Sequence, residues 1–273
     1  MTKHFVFTLL SVAAVQLAPF AFARADDQII NLCQFQDRTL GEVGNHRIVN
    51  ELAIVGKAPG ENLPGTFEPD DLLAIPLDKM SPPIRESLIS DKSSERLRRN
   101  TVVALNRMIQ DAAKEKVELV VHSAYRSYKI QCLVFTNKLK KEMNTTSLSL
   151  DEAIVSVNTR SAIPGQSEHQ LGTVADITTN IPGEGYQLIY QMMDTPAYAW
   201  LQKNAYKYGF VMSYPYSPEV ALNETNPKTG YIFEPWHWRY IHPHYAKIFR
   251  ECGDMTLREF LYRIAQKPNF TCR

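Results

Sequence analysis

Residues 167–177 carry the densest chemical pattern in the chain, reading Ser167-Glu168-His169-Gln170-Leu171-Gly172-Thr173-Val174-Ala175-Asp176-Ile177. His169 and Asp176 stand seven positions apart, and Gly172 between them suits a turn that brings the two side chains together. The residues from Gly172 to Ile177 alternate between small and apolar, which predicts a strand. Imidazole and carboxylate are good ligands for a borderline metal such as zinc. Taken alone, such a pair is more often a surface His and a capping Asp.

A second segment is rich in aromatic side chains and reads Glu234-Pro235-Trp236-His237-Trp238-Arg239-Tyr240. It lies in a predicted strand from Tyr231 to Ile241, where side chains two positions apart share a face. His237 is therefore expected to point away from Trp236 and Trp238. The competing interpretation is that both tryptophans are core residues and His237 is their satisfied neighbour.

Together the two segments supply the parts of a catalytic metal site. Catalytic zinc takes three protein ligands and keeps one position open for water, and His169, Asp176 and His237 make three. Pro235 allows the chain to bend, so that Glu234 approaches the metal without ligating it. Glu234 is then free to take a proton from the activated water and pass it to a leaving amine.

A third segment lies where a predicted strand turns into a helix, and it reads Ser123-Ala124-Tyr125-Arg126-Ser127-Tyr128, with Gln131 a turn later. Strand-to-helix junctions are common places for a site, and the guanidinium of Arg126 suits a bidentate contact with a carboxylate. A surface salt bridge is the competing interpretation of this arginine.

Helices and strands alternate loosely around these segments. Apolar residues at helical spacing from Leu97 to Ala112 predict the first helix, and Ser127 is placed to cap a second. Short strands are predicted over Glu118–Ser123 and Phe210–Met212, with further helices over 152–157, over 197–207 and near the C-terminus. The expected class is α+β, in which a small, mostly antiparallel sheet bears the metal site and is flanked by helices.

The N-terminal part of the chain divides into a leader and an arm. An apolar run followed by Ala23-Arg24-Ala25 predicts a secretory signal peptide over residues 1–25. Pro19 inside the run weighs against the alternative of a membrane anchor. Residues 26–90 are rich in Pro, Gly and Asp and predict a loop-rich arm, which leaves residues 91–273 as the domain that carries the chemistry.

Composition excludes some partners and predicts disulfides. The net charge is only +1, and no basic stripe with interleaved aromatics occurs, so no nucleic-acid partner is expected. No later segment approaches a membrane-spanning length, so no membrane insertion of the mature chain is expected. An even number of cysteines in an oxidising compartment predicts two disulfides, formed among Cys33, Cys132, Cys252 and Cys272. Three pairings are open, and the one favoured joins Cys252 with Cys272 and Cys33 with Cys132.

In this order, the three segments resemble those of the VanY-type D-alanyl-D-alanine carboxypeptidases. That family lies within a group of zinc peptidases that includes lysostaphin-like enzymes and the hedgehog signalling domain. The S-x-H-x-x-G-x-A-x-D pattern of the family stands here as Ser167, His169, Gly172, Ala175 and Asp176. The E-P-W-H-W-R-Y strand stands at residues 234–240, and the S-x-Y-R-S-x-x-x-Q pattern begins at Ser123. The likeness covers about Leu97 to Tyr245.

The resemblance implies a zinc peptidase that acts on peptidoglycan stem peptides. The predicted signal peptide sends the mature chain across the inner membrane, to the periplasm or the extracellular space. It implies Zn²⁺ held by His169, Asp176 and His237, with Glu234 as general base and acid. It also implies that Arg126 polarises the scissile carbonyl or holds the terminal carboxylate of the substrate. Lesser substrate contacts are implied for four residues: Ser123, Tyr125, Gln131 and Ser167.

Two alternatives to D,D-carboxypeptidase action stay open at this point. One is a related enzyme that cleaves an L,D bond or a peptide cross-link, since its motifs would be identical. The other is a non-catalytic zinc-containing module that binds the cell wall, which retention of Glu234 and Arg126 argues against. The motifs fix neither the oligomeric state nor the role of the arm.

Overall fold

The computed structural model describes residues 50–82 and 95–272. The strands are β1 (Leu72–Ala74), β2 (Arg96–Arg98), β3 (Val120–Ser123), β4 (Val174–Thr178), β5 (Phe210–Met212) and β6 (His237–Tyr240). The α-helices are α1 (Arg99–Lys114), α2 (Tyr128–Thr145), α3 (Leu150–Val157), α4 (Pro196–Asn204), α5 (Pro243–Arg250) and α6 (Leu257–Gln266). Short 3₁₀ turns occur at Leu77–Lys79, Glu168–Leu171, Tyr190–Asp194 and Ala205–Tyr208.

Four strands form the central sheet in the order β3-β4-β6-β5, and every neighbouring pair is antiparallel. The expected α+β class with a small antiparallel sheet is therefore confirmed. Because its strands alternate faces, the sheet has two distinct sides. One side bears Ala175, Ile177, Trp238 and Tyr240, which belong to the main hydrophobic core. The opposite side is left for the polar residues of β4 and β6.

The main core lies between that first side of the sheet and helices α1 and α4. The buried face of α1 carries Leu105, Met108, Ile109 and Ala112 at helical spacing, as the sequence predicted. Side chains of Ala197 and Leu201 on α4 join the same cluster. This packing holds the sheet rigidly from one side and leaves its other side available for chemistry.

Helix starts follow the local capping chemistry of the sequence. The Ser127 hydroxyl accepts a hydrogen bond from the Ile130 amide at the start of α2. Ser149 with Glu152 forms a capping box at the start of α3, and Thr256 with Glu259 forms another at α6. These side chains satisfy amides that have no partner within the helix.

The first predicted helix begins later than expected. Leu97 is not in α1 but in β2, where it pairs with Leu73 of β1. The arm is thus less irregular than its composition indicated, because part of it forms a two-stranded sheet with the segment before α1. Another part contributes Ala53, Val55 and Leu63 to a small apolar cluster around Leu171.

The aromatic strand predicted from Tyr231 to Ile241 is also shorter, because only His237–Tyr240 forms β6. Pro235 has no amide hydrogen to give to a ladder. Before the strand, the His237 amide donates to the Glu234 carbonyl at 3.2 Å. The chain therefore bends at residues 234–237, as expected from Pro235, and only the later part is extended.

One of the two predicted disulfides lies within the described residues. Cys252 and Cys272 form a disulfide that encloses α6. The predicted signal peptide lies outside the described residues. So does Cys33, and with it the predicted pairing to Cys132. No helix in the described ranges is both long and apolar enough to cross a bilayer.

Candidate active site

Asp176 and His237 face each other across the two middle strands of the sheet. Their Cα atoms are register partners in the β4–β6 ladder, and Asp176 Oδ1 lies 3.3 Å from His237 Nδ1. His169 reaches the same point from the 3₁₀ turn before β4, with its Nε2 3.4 Å from Asp176 Oδ2. One ligand atom from each of these three residues lies within 4.8 Å of the other two.

Local backbone geometry turns His169 toward the strand. Gly172 ends the 3₁₀ turn in the left-handed region, with φ at 70°, a conformation that glycine adopts without strain. The Nδ1 atom of His169 lies 2.6 Å from the Ala124 carbonyl oxygen. Because a carbonyl only accepts, Nδ1 carries the hydrogen and Nε2 is left with its lone pair free.

The three side chains fit a metal ion in burial and in donor type. All three are buried, with between 2% and 4% of their surface exposed. His169 Nε2 and Asp176 Oδ1 are buried atoms without a hydrogen-bond partner among the described residues. Buried polar atoms are normally satisfied, and two imidazoles with one carboxylate form a usual donor set for zinc.

Glu234 lies next to this cluster without belonging to it. Its Oε2 is 3.6 Å from His237 Nδ1, and it lines the same cleft as the three clustered residues. Burial raises the pKa of the Glu234 carboxyl to about 7, His237 opposes that rise, and Asp176 adds to it. A carboxylate with a raised pKa beside a metal site is suited to take up and release a proton.

Arg126 completes the charged groups of the site. Its Nη2 is 3.6 Å from Asp176 Oδ2, and its Nη1 donates to Gln131 Oε1 at 3.0 Å. Gln131 in turn donates to the Ala162 carbonyl at 2.6 Å, which fixes the amide and hence the guanidinium. Arg126 is therefore held at the cleft by a partner one turn along α2.

A cleft of about 330 Å³ opens over these groups. The predicted residues Ser123, Arg126, Gln131 and Ser167 line it, together with the metal-ligand cluster and Glu234. A bulge in β3 between Val121 and Ser123 helps to set the position of Ser123 beside Asp176. Tyr125 is placed differently, because it lies outside the cleft lining and under the guanidinium of Arg96.

Two buried charges next to the ligands were missed by the sequence analysis. Glu168 Oε2 is 3.1 Å from His237 Nε2, and Glu168 Oε1 accepts from Arg239 Nη1 at 2.5 Å. Burial would raise the pKa of Glu168, but Arg239 and His237 lower it to about 2. One signal was available for Arg239, since a residue two positions after His237 in a strand shares its face.

Further residues of the cleft also had no clear signal in the sequence. They are Val134, Lys138, Arg160, Ser161, Ala162, Leu188, Tyr214 and Tyr231. They come from α2, from the turn after α3 and from loops on either side of β5. Only the folded chain brings these segments together, so spacing along the sequence does not reveal them. They are joined by Trp236, which lines the cleft with His237 although the sequence predicted that the two side chains point away from each other. Because β6 begins at His237, the alternation of a strand does not extend to Trp236.

The chain is similar in sequence to known carboxypeptidases. The family model described as "VanY: D-alanyl-D-alanine carboxypeptidase" matches residues 94–243. The putative carboxypeptidase YodJ of Bacillus subtilis (strain 168) is 35% identical over 218 residues, which cover 79% of this chain and 68% of that protein.

Two solved structures resemble the fold. The LdcB LD-carboxypeptidase is 32% identical, with a TM-score of 0.60 over 78% of this chain and 86% of that chain. A mutant of the vancomycin-resistance D,D-pentapeptidase VanY, solved in complex with Zn(II), is 24% identical and has a TM-score of 0.57. That second likeness covers 77% of this chain and 98% of the other, and it concerns the fold alone. From the family model and the relative in Bacillus subtilis, we conclude that the chain belongs to the VanY family of D-alanyl-D-alanine carboxypeptidases.

Proposed function

We propose that this chain is an exported zinc carboxypeptidase that removes the terminal D-alanine from peptidoglycan stem peptides. The observation that carries the proposal is the meeting of His169, Asp176 and His237 within 4.8 Å, with Glu234 and Arg126 around the same cleft. A carboxylate beside the ligands and a cation facing the cleft are what peptide hydrolysis at a free C-terminus requires.

His169, Asp176 and His237 would hold the zinc ion through Nε2, a carboxylate oxygen and Nδ1, which are the atoms that face one another. Zinc bound there would lower the pKa of a coordinated water toward neutrality and polarise the carbonyl of the scissile bond. His169 Nε2 and Asp176 Oδ1 are buried and have no hydrogen-bond partner within residues 50–82 and 95–272, which supports this assignment of ligands.

Glu234 would act as general base and then as general acid. It lies 3.6 Å from His237 Nδ1 and does not complete the cluster of three. From this place the carboxylate would take a proton from the attacking water and deliver it to the departing amine of D-alanine.

Arg126 would hold the terminal carboxylate of the substrate or steady the oxygen of the scissile carbonyl as it gains charge. Its Nη1 donates to Gln131, its Nη2 lies 3.6 Å from Asp176 Oδ2, and the residue lines the cleft. A fixed guanidinium spends little conformational entropy on binding a carboxylate. Ser123 and Ser167 line the same cleft and would add hydrogen bonds to the peptide.

The test is a product analysis with the purified chain. A muramyl pentapeptide that ends in D-Ala-D-Ala is incubated with the protein, with and without a zinc chelator, and the products are identified by mass. Loss of one alanine, abolished by the chelator and restored by added zinc, is the expected result. An intact pentapeptide after incubation with the zinc-loaded protein would contradict D,D-carboxypeptidase action.

L,D-carboxypeptidase action is a second candidate, because LdcB, which is 32% identical over 78% of this chain, is an LD-carboxypeptidase. The same catalytic groups would serve either bond, and the surrounding loops would set the choice. A tetrapeptide stem incubated in parallel separates the two candidates. Loss of alanine from the tetrapeptide alone would favour L,D-cleavage.

Export follows from the nature of the substrate, which lies outside the cytoplasm. Residues 1–25 would be the signal peptide, residues 26–90 the arm and residues 91–273 the catalytic domain. The family match over residues 94–243 supports the start of that domain. Sequencing the N-terminus of protein recovered from the periplasm or medium tests the cleavage after Ala25.

A further inference from the structure

A row of buried charges continues from the ligand cluster into the body of the protein. His237 Nε2 lies 3.1 Å from Glu168 Oε2, and Glu168 Oε1 accepts from Arg239 Nη1 at 2.5 Å. At most 6% of the surface of any of the three is exposed. The Nε2–Glu168 contact is a hydrogen bond, and because a carboxylate only accepts, Nε2 carries the hydrogen. Nδ1 faces Asp176 and Glu234, and Asp176 Oδ1 has no hydrogen-bond partner among the described residues, so Nδ1 is the atom left to bind a metal.

Arg239 extends this row to the N-terminal arm. His237 and Arg239 are two positions apart in β6 and therefore share the face opposite the main core. The Nη2 atom of Arg239 donates to the Ala53 carbonyl at 2.5 Å and to the Glu51 carbonyl at 3.2 Å. The guanidinium is thus fixed at one end by Glu168 and at the other by backbone atoms of the arm.

Burying this row of charges costs desolvation free energy. A buried ion pair recovers its desolvation cost only when the geometry is good and the remaining donors are satisfied. A carboxylate on the second nitrogen of a ligating histidine fixes the tautomer and the ring orientation, and makes the ring a stronger ligand. Loss of such a partner typically weakens metal binding by about 10- to 100-fold.

We propose that Glu168 and Arg239 are positioning residues of the metal centre and that the arm takes part through its Glu51 and Ala53 carbonyls. The proposal rests on the zinc site of the proposed function, and it adds a role for the arm. The backbone of the arm orients Arg239, and Arg239 holds Glu168. Glu168 in turn orients the His237 ring.

The test compares two variants of this row with a matched control in the full chain. Glu168→Gln keeps the shape of the side chain but removes the charge, and Arg239→Lys keeps the charge but loses the planar fork. Glu61→Gln is the control. Like Glu168, Glu61 is a buried carboxylate that pairs with an arginine, in this case Arg258 of α6 at 2.7 Å. The Glu61–Arg258 pair does not contact the ligand cluster.

The zinc dissociation constant is measured by competition with a chromophoric chelator, and the urea midpoint is measured on the same samples. Glu168→Gln and Arg239→Lys are expected to weaken zinc binding by about 10-fold or more, and Glu168→Gln to alter the visible spectrum of the Co²⁺-substituted protein. Glu61→Gln is expected to lower the urea midpoint while zinc affinity stays within about twofold of wild type, since only stability is affected.

A folded Glu168→Gln variant with wild-type zinc affinity and Co²⁺ spectrum would overturn the proposal. If that variant does not fold, Arg239→Lys decides the matter by its zinc affinity, and a wild-type value in the folded variant would overturn the proposal. Wild-type protein that binds no zinc would instead refute the proposed function, so the two failures are distinguishable.

Discussion

Asp176 is the residue at which the charges of the site converge. Its two carboxylate oxygens lie between 3.3 and 3.6 Å from nitrogens of His169, His237 and Arg126. Burial would raise the pKa of this carboxyl, but the neighbouring histidines hold it well below its usual range. Asp176 therefore stays ionised, which is the state in which a carboxylate can bind a metal ion.

Replacing Asp176 with Ala is expected to abolish tight zinc binding. The variant removes the one anionic ligand and leaves two imidazoles, which are too few for a catalytic zinc site. Metal content after dialysis, measured by atomic emission, should fall from one zinc per chain to near zero. Retention of one zinc per chain would contradict the assignment of this ligand.

Replacing Glu234 with Gln separates catalysis from metal binding. Gln has the same shape but cannot take up the proton of the attacking water, so kcat is expected to fall by about 10²- to 10⁴-fold. Zinc content should remain at one per chain, since Glu234 is outside the ligand set. A variant that keeps near-normal kcat would show that another group is the base.

At the scale of elements, the 3₁₀ turn and β4 act as one unit that brings His169 and Asp176 together. Gly172 joins the two parts with φ at 70°. A Cβ atom at this position would come within 2.8 Å of Leu72 and 3.4 Å of Pro69, both in the arm. The turn is therefore restricted by its own backbone and by the arm packed against it.

Gly172→Ala is expected to destabilise the protein by about 2 kcal/mol, because a left-handed alanine costs about 1–2 kcal/mol and the crowding adds to it. Gly183→Ala is the matched control. Gly183 also has a positive φ, at 82°, but its Cβ would meet no atom of the described part of the chain within 4 Å. Urea midpoints measure both, and an equal loss in the two variants would show that packing against the arm contributes nothing.

Elements with local signals were predicted well from the sequence. The cap at Ser127 and the apolar spacing in α1 identified helices, and the glycine between His169 and Asp176 identified a turn and strand. The predicted start of a helix was wrong where pairing with a distant strand sets it. Leu97 has helical spacing but is drawn into β2 by its pairing with β1.

In the candidate site, too, local motifs could be read from the sequence and contacts between distant segments could not. His169, Asp176, His237 and Glu234 stand in short, ordered motifs, so their meeting could be predicted. Glu168 stands inside one of those motifs, but its role depends on Arg239, which stands in another. Their pairing requires knowledge of how β6 lies against the 3₁₀ turn, and no spacing along the chain contains that information.

At the scale of the whole molecule, the arm is fastened to the domain at widely separated points. Lys57 Nζ donates to the Asn158 and Gly230 carbonyls at 2.7 and 2.6 Å. Gln170 donates to the Pro64 and Phe67 carbonyls. Glu61 meets Arg258 and Tyr262 of α6. The arm thereby links the ligand-bearing turn, the loops beside the cleft and the C-terminal helix.

The attachment at Glu61 predicts a pH dependence of stability. Burial would raise the pKa of Glu61, but hydrogen bonds from Arg258 and Tyr262 prevail and lower it. A carboxyl whose folded-state pKa is lowered stabilises the protein above its unfolded pKa, and that stabilisation is lost as the pH falls through the folded pKa. Wild-type stability should therefore decline more steeply in acid than that of Glu61→Gln.

The measurement is a pair of urea midpoints, at about pH 7 and about pH 3, for wild type and Glu61→Gln. The wild type is expected to be the more stable protein near neutrality, and the difference should narrow in acid. A difference that stays constant with pH would mean that Glu61 keeps the same pKa in the folded and unfolded states.

The order of the central sheet has a consequence for how long a bound metal stays in place. Asp176 and His237 lie on β4 and β6, the two inner strands, and each inner strand is hydrogen-bonded on both sides. Inner strands of a sheet open to solvent only when the surrounding structure unfolds, whereas edges and loops open locally. Amide protons of these two strands should thus be among the slowest to exchange with deuterium. Local opening of the loops around the cleft would then leave the two strands that carry Asp176 and His237 closed.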